Sequence, residues 1–439
     1  MTAGTLRSAE AGVAAADRVI AHETRPGDEG VELFLEGARE ANVNLVPGLA
    51  GVLTASGGGL TAAARVWRGG RCGFAARAVA REDEIAALVA EARANALTGG
   101  SDAPMPAGAP ALAGRGHGTG MPEDLARRRA GELCAGFAAA GLAVQVVLLR
   151  RRRWWSAVVS TAGVRTSEWH GRVTGLARCE TALGTLVEAV ECDDVSGRWE
   201  PGPALGRAAE AGAVVAAAGG REPDRRLPLV LRPAVASQLV AGLGWILRGT
   251  TAAAAAGLPR AVGRRVFPAR LTLVDDPRRP GAARPRLVDD EGRRAAPLDL
   301  VREGVLRELL HSTASAAALG ALPNGRAVRR DVSAPPAPAA LGLRVLPRGD
   351  PPPGDHVELT TRFETLSTMP RPGIVTLVVA GWEVRDGNRA HAVGPFDLEL
   401  PVVATWRALR GAGSDLEVLP AAGRCGTPSL ELAEAAWSH

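Results

Sequence analysis

The chain has 439 residues, 46% of them hydrophobic, which is enough apolar side chain for one large core or for two domains. It contains no lysine and no tyrosine, so all 52 basic residues are arginine; that excludes a Schiff-base lysine, a P-loop lysine and a catalytic tyrosine. The net charge of +5 is a mild excess over this length and argues against a dedicated nucleic-acid binder.

The first 60 residues carry an alanine-rich helical pattern over 11–20 and an apolar stretch at 31–39 that fits strand or helix. Ser56-Gly57-Gly58-Gly59 reads as a turn; without Gly-Lys-Ser/Thr it is no phosphate loop. Residues 61–78 read as two short strands joined at Gly69-Gly70. A helix follows over 82–97, with acids in its first turn and Ile85, Leu88, Val89 and Ala92 as its buried face. The stretch 103–120 is rich in Pro, Gly and Ala and reads as a loop, where His117 is solvated rather than catalytic. A helix over 122–140 stops at Gly141.

Residues 142–149 and 155–160 alternate as strands, with the arginine run 150–153 ending one and starting the next. That run precedes Trp154 and Trp155, a basic-aromatic pairing that could stack on nucleic acid, but strand boundaries explain it better. A turn at 161–163 leads to a strand over 164–180, on which His170 and Cys179 stand at no metal-ligand spacing. A helix over 204–218 and a polar stretch at 219–226 place a domain boundary there, giving domains 1–220 and 221–439.

The second domain opens on LPLVLRPAVASQLVAGLGWILRG, residues 227–249. Leu229–Leu231 is a short strand, Pro233 opens a helix, and Val235, Leu239, Leu243 and Ile246 follow at helical spacing as core positions. A strand at 271–274 leads to Asp275-Asp276-Pro277, and further on stands Asp289-Asp290-Glu291-Gly292. Clustered carboxylates could hold a hard cation. Asp-Pro and Asp-Gly are also turn formers that hydrogen-bond their own backbone, and this reading is the stronger. A helix over 312–319 closes at Gly320, Asn324-Gly325-Arg326 makes a turn, and the proline-rich 334–355 reads as irregular. Strands follow at 356–363, 374–381 and 396–402, then a helix starting within 405–409. The fold class expected is α+β: two domains, mixed sheets with flanking helices, and a β-rich C-terminal domain.

Five scattered cysteines (72, 134, 179, 192, 425) with no Cys-x-x-Cys argue against a disulfide framework and fit a reducing cytoplasm. Glu10 and Asp17 interrupt the N-terminal apolar pattern expected of a signal peptide, and no run reaches the roughly 18 apolar residues of a membrane span.

Several motifs in this order resemble the TldD/TldE (PmbA) family of metallopeptidase-like proteins. They are the strand-turn-helix at 227–249, the Arg-Val to Gly-Phe-Ala hairpin at 65–75, the Asp-Asp-Pro and Asp-Asp-Glu-Gly turns with Gly304-Val305-Leu306, the Asn324-Gly325-Arg326 turn and the closing Gly426-Thr427-Pro428 strand. In the TldD half of that family the helix carries His-Glu-x-x-x-His. The resemblance puts those three residues on Ala241, Gly242 and Ile246. It therefore implies the TldE half: no catalytic residue, no metal and no cofactor in this chain, with zinc in a TldD-like partner and a peptide substrate held as an added strand. Cys425-Gly426 is similar to the cysteine that completes the TldD zinc site, but Pro428 aligns it with the last strand and marks it as structural. Two alternatives stand beside this reading: a repurposed member acting in the biosynthesis of a peptide-derived metabolite, and, more weakly, a DNA-associated regulator, since some family members carry a gyrase-modulator name.

Overall fold

The computed structural model describes residues 8–49, 52–107, 112–114, 122–193, 199–254, 257–279, 286–364, 373–420 and 425–437; His117 lies outside them. The N-terminal elements are α1 (Ala9–Glu23), β1 (Asp28–Leu45), β2 (Val52–Arg68), β3 (Arg71–Val79), α2 (Glu82–Gly99), β4 (Leu112–Gly114), α3 (Glu123–Ala139), β5 (Ala143–Ser160), β6 (Arg165–Thr181), β7 (Gly184–Asp193) and α4 (Gly202–Ala217). The strands form one sheet in the order β3-β2-β1-β5-β6-β4, with β7 paired to β6.

The period of two divides this sheet into unlike faces. Leu33, Leu35, Trp155, Ala157 and Val159 point to the side where α1 and α2 pack, and meet Ile85, Leu88, Val89 and Ala92 as the spacing predicts. Val147, Leu149, Val173 and Ala177 meet α3 and α4 further along the same side. The opposite face carries Glu32, Phe34, Glu36, Arg65, Arg152, Trp154 and Glu168. Among the described residues the N-terminal helices pack on the other side.

Three local expectations change. Residues 56–59 are not a turn but the middle of β2, paired with 38–41 of β1. The reason is close approach: a Cβ on Gly58 would lie 2.6 Å from the Ala38 carbonyl oxygen, so glycine is what lets the strands meet. The arginine run 150–153 does not divide two strands, since β5 continues through it. Arg150 and Arg152 there reach Glu40 and Glu36 on β1, at 2.6 and 2.7 Å. Within the expected loop at 103–120, β4 adds a short parallel strand to β6.

The C-terminal elements are β8 (Leu229–Leu231), α5 (Pro233–Ile246), α6 (Gly249–Ala254), β9 (Leu273–Asp275), β10 (Leu298–Arg302), β11 (Val305–Leu306), α7 (Thr313–Leu319), β12 (Ala327–Val328), β13 (Ala337–Pro338), β14 (Leu343–Val345), β15 (His356–Phe363), β16 (Ile374–Arg385), β17 (Asn388–Pro401), α8 (Val402–Arg407), β18 (Leu409–Ala412), β19 (Glu417–Leu419), β20 (Cys425–Thr427) and β21 (Leu430–Leu432). One sheet runs β17-β16-β15-β8-β21-β18, a second β11-β10-β9-β14-β20-β19, and β12-β13 is a small pair. The architecture is α+β, with a strand-rich C-terminal region. The proline-rich 334–355 is not wholly irregular: β14 sits inside the second sheet, between β9 and β20. The β16-β17 hairpin is longer than the sequence suggests. It turns on Asp386 and Gly387, both at positive φ (49° and 72°), as a two-residue hairpin loop with strand twist requires. The helix expected at 405–409 begins earlier, at Val402.

Candidate functional site

Helix α5 is built by what precedes it. Strand β8 lies parallel to β15, and the Arg232 amide donates to the Leu359 carbonyl at 3.0 Å, fixing where the strand ends. Pro233 then takes the first helical position, where its missing N–H costs nothing. Leu239, Val240 and Leu243 are fully buried, and α5 lies between the two C-terminal sheets, packed on β14, β15, β16, β20 and α8. Such a helix is apolar on most sides because most sides are covered. Trp406 on α8 locks it further, donating from Nε1 to the Leu239 carbonyl at 3.3 Å.

The three positions matched to the metal motif lie on this helix as follows. Ile246 is buried in the core, while Ala241 and Gly242 are half-buried. A Cβ on Gly242 would stand 2.8 Å from Val375 Cγ2 and 3.0 Å from Val402 Cγ2. The space that a motif glutamate would need is therefore filled by two β-branched side chains. Zinc takes three or four protein ligands from His, Cys and carboxylates. These residues do not fit it, and among the described residues no group of three or more His, Cys, Asp or Glu is arranged to hold a metal ion. Cys425 lies on β20, which packs against α5, and is buried. Burial pushes its thiol up to about 12.

The carboxylates of the Asp-rich turns fall into two places rather than one. Asp275 accepts from the Leu341 and Gly342 amides at 2.9 and 2.5 Å and pairs with the wholly buried Arg326. Asp276 accepts from the Arg278 amide at 3.1 Å and pairs with Arg279 at 3.2 Å. Asp289 accepts from the Glu291, Arg293 and Ala327 amides at 3.0, 2.9 and 3.0 Å. For Asp276 and Asp289 this is the turn chemistry expected from sequence. Asp290 pairs with Arg286 and accepts from the Arg329 amide at 2.6 Å. Glu291 accepts from the amide and hydroxyl of Thr313, at 2.9 and 2.6 Å. Protein donors thus occupy the oxygens that a cation would use.

Glu291 also reaches the polar face of the N-terminal sheet. Its Oε1 lies 3.3 Å from Arg65 Nη1, and Arg65 makes a two-pronged pair with Glu32 at 2.8 Å on each prong. Arg329 comes from the C-terminal side to lie 3.5 Å from Glu32 and over the ring of Phe34. Burial and the like charge of Arg65 push Arg329 down to about 10. On β6, Glu168 accepts from the Leu287 amide at 2.5 Å. Burial raises its carboxyl to about 7, against the lowering by the Leu287 amide and the Arg286 charge. Gly292, at φ +77°, sits against Val164: a Cβ there would come within 2.3 Å of its Cγ1.

Beside this contact lies a cavity of about 740 Å3. Its N-terminal wall carries Phe34, Arg152, Trp154 and Arg172, and its other wall Arg286, Asp290 and 329–333. His170 stacks on Trp154 with ring centroids 4.9 Å apart, and Cys179 is buried in the core under α3 and α4. Sequence reasoning singled out neither the cavity nor Glu32 and Arg329, and it met Arg65 only as the start of the hairpin motif at 65–75, without a role. The signal for one wall was present, since alternation puts Arg150, Arg152 and Trp154 on one face of a strand. For the ion pairs there was none.

The C-terminal half, residues 224–439, matches the family model described as the PmbA/TldA metallopeptidase C-terminal domain. Solved structures share the fold over nearly the whole chain. A protein described as a candidate modulator of a DNA gyrase from Thermotoga maritima matches with a TM-score of 0.77 at 16% identity, covering 95% of this chain and 98% of that one. TldE from Thermococcus kodakarensis matches with a TM-score of 0.77 at 14% identity, over 95% of this chain and 98% of that one. A second candidate gyrase modulator, from Bacteroides thetaiotaomicron, matches with a TM-score of 0.74 at 14% identity, over 98% of each chain. At these identities the likeness is one of fold. No curated protein matches the sequence.

Proposed function

We propose that this chain, which belongs to the PmbA/TldD family through its C-terminal half, is a TldE-like subunit that holds no zinc and pairs with a TldD-like zinc peptidase to process peptides. The observation that carries this reading is the state of α5. The helix keeps its place between the sheets, yet Ala241, Gly242 and Ile246 offer no ligand and no base, and Val375 and Val402 fill the space at 242. A zinc peptidase needs a metal-bound water and a group that takes its proton; neither comes from these residues. What remains for the chain to supply is surface. Strands β16 and β17 lead directly to Val375 and Val402 beside α5, so the sheet they form is the natural wall along which an extended peptide adds as a strand. Among the described residues no helix is long and apolar enough to cross a membrane. A cytoplasmic place for the subunit and its partner is part of the proposal, supported by scattered cysteines with no disulfide pattern.

The test is a peptide-digestion assay on the chain alone, a TldD-like partner alone and the mixture. Cleavage is expected from the mixture, blocked by a chelator, and not from this chain by itself. Vigorous chelator-resistant cleavage by the chain alone refutes the subunit reading and favours a repurposed enzyme.

A further inference from the structure

Strand β2 outruns its neighbour on one side. Residues 60–68 lie between β1 and β3. Strand β3 ends opposite Leu60, and the chain then turns into α2, the Ala80 amide donating to Glu84 at 2.5 Å. From 52 to 59 the strand is paired to β1 alone, and among the described residues no backbone bond reaches its other edge. Every second residue of such an edge turns its N–H and C=O outward. Proteins guard an open edge with charges, proline or a covering segment. Residues 52–59 carry no charge and no proline, and no charged residue occurs anywhere from 41 to 64, in a chain that is 23% charged. Thr54 and residues 56–59 are exposed, and Leu49, in the connection between β1 and β2, is 65% exposed. Side chains do little to secure this part of the strand. A Cβ on Gly57 or Gly59 would meet nothing within 4 Å, so no packing within the chain calls for glycine there. Glycine weakens a strand interior. A strand of this composition is held by its backbone bonds, and one edge of them is unused.

We propose that residues 52–59 are a pairing edge for a second copy of this chain, the two β2 strands joining antiparallel about a two-fold axis. The lack of charge selects a copy over an unlike partner. In a two-fold contact the same stretch meets itself, so a charge near the axis would lie against its own like. An unlike partner is instead recognised through complementary charge, which this edge does not offer. Pairing would join the two N-terminal sheets into one and close the open edge of both. No residue of α5 takes part, so the inference stands apart from the peptide-processing reading.

The experiment measures the mass of the full chain alone by light scattering after size separation, over a range of concentrations. Twice the 45.2 kDa of the chain is expected. Thr54→Glu/Ser56→Glu places like charges on both edges at exposed positions. It should weaken the dimer about tenfold or more, read from the concentration at which the mass falls to that of one chain. Part of that loss should return as salt rises, which misfolding would not do. Thr54→Gln/Ser56→Gln, equal in size but uncharged, should stay dimeric. A natural chain that is monomeric at every concentration overturns the proposal. So does a dimer that the Glu pair leaves intact, an equal loss in the Gln pair, or a chain that associates only with an unlike subunit. Peptide cleavage is not read, so a failure here is separate from a failure of the digestion assay.

Discussion

Replacing Gly242 with alanine sets two effects of known sign against each other. Alanine in a helix interior is favoured over glycine by about 1 kcal/mol. Against that, the new Cβ would stand 2.8 Å from Val375 Cγ2 and 3.0 Å from Val402 Cγ2, closer than carbon atoms rest. Both neighbours are β-branched and stiff at χ1, so they do not swing away. Overpacking of this kind typically costs about 1–3 kcal/mol. The steric cost should win, and we expect Gly242→Ala to destabilise the protein by about 1 kcal/mol, read as a lower urea midpoint at unchanged slope. The sign should reverse once the neighbours are trimmed. In a Val375→Ala/Val402→Ala background the same substitution should stabilise, because only the helix preference remains. A double-mutant cycle measures that coupling directly. If Gly242→Ala raises the midpoint in the otherwise unchanged protein, position 242 is open. The argument that a motif glutamate has no room there then fails.

Leu243→Ala should cost about 2–5 kcal/mol, the range for emptying a buried leucine site, and an unchanged thermal midpoint would misplace the helix. Elemental analysis of the dialysed chain should find no stoichiometric zinc; about one tightly held zinc per chain would contradict the assignment of the metal to a partner. Glu168 should make the protein less stable as pH rises. Its folded carboxyl is raised from 4.5 to about 7, so the folded state holds a proton that the unfolded chain has released, and this contribution is present below about 4.5 and lost as pH rises through about 7. The stability difference between the natural chain and Glu168→Gln should therefore change across that window, and a flat difference would show that Glu168 does not titrate there.

Much of α5 was legible because its causes are local. Pro233 marks the start, and Leu239 and Leu243 fall four apart on a face that is indeed buried. The same holds for Asp289, which bonds amides two and four residues on. What escaped depends on partners far along the chain. The glycines at 56–59 look like a turn until β1 is laid against them. The arginine run 150–153 looks like a break until Glu36 and Glu40 stand opposite. The prolines around 334–355 hide β14, whose three residues are held by β9 and β20 on either side. Arg65 and Glu291 are 226 residues apart, and no pattern in either neighbourhood announces the other.

The double engagement of Glu291 has a consequence for how the molecule comes apart. One oxygen answers to Arg65 in the N-terminal sheet and the other to Thr313 at the start of α7. A fragment ending near residue 220 would keep Glu32 beside Arg65, but it would bare Phe34, Val158 and Val164 to water, since the Gly292 turn and Arg329 that lie on them would be gone. The N-terminal sheet and the 286–292 turn therefore share one buried contact. Amides of β1 and of the 286–291 turn should exchange with solvent in a single cooperative opening, the two halves guarding one another's hydrogen bonds.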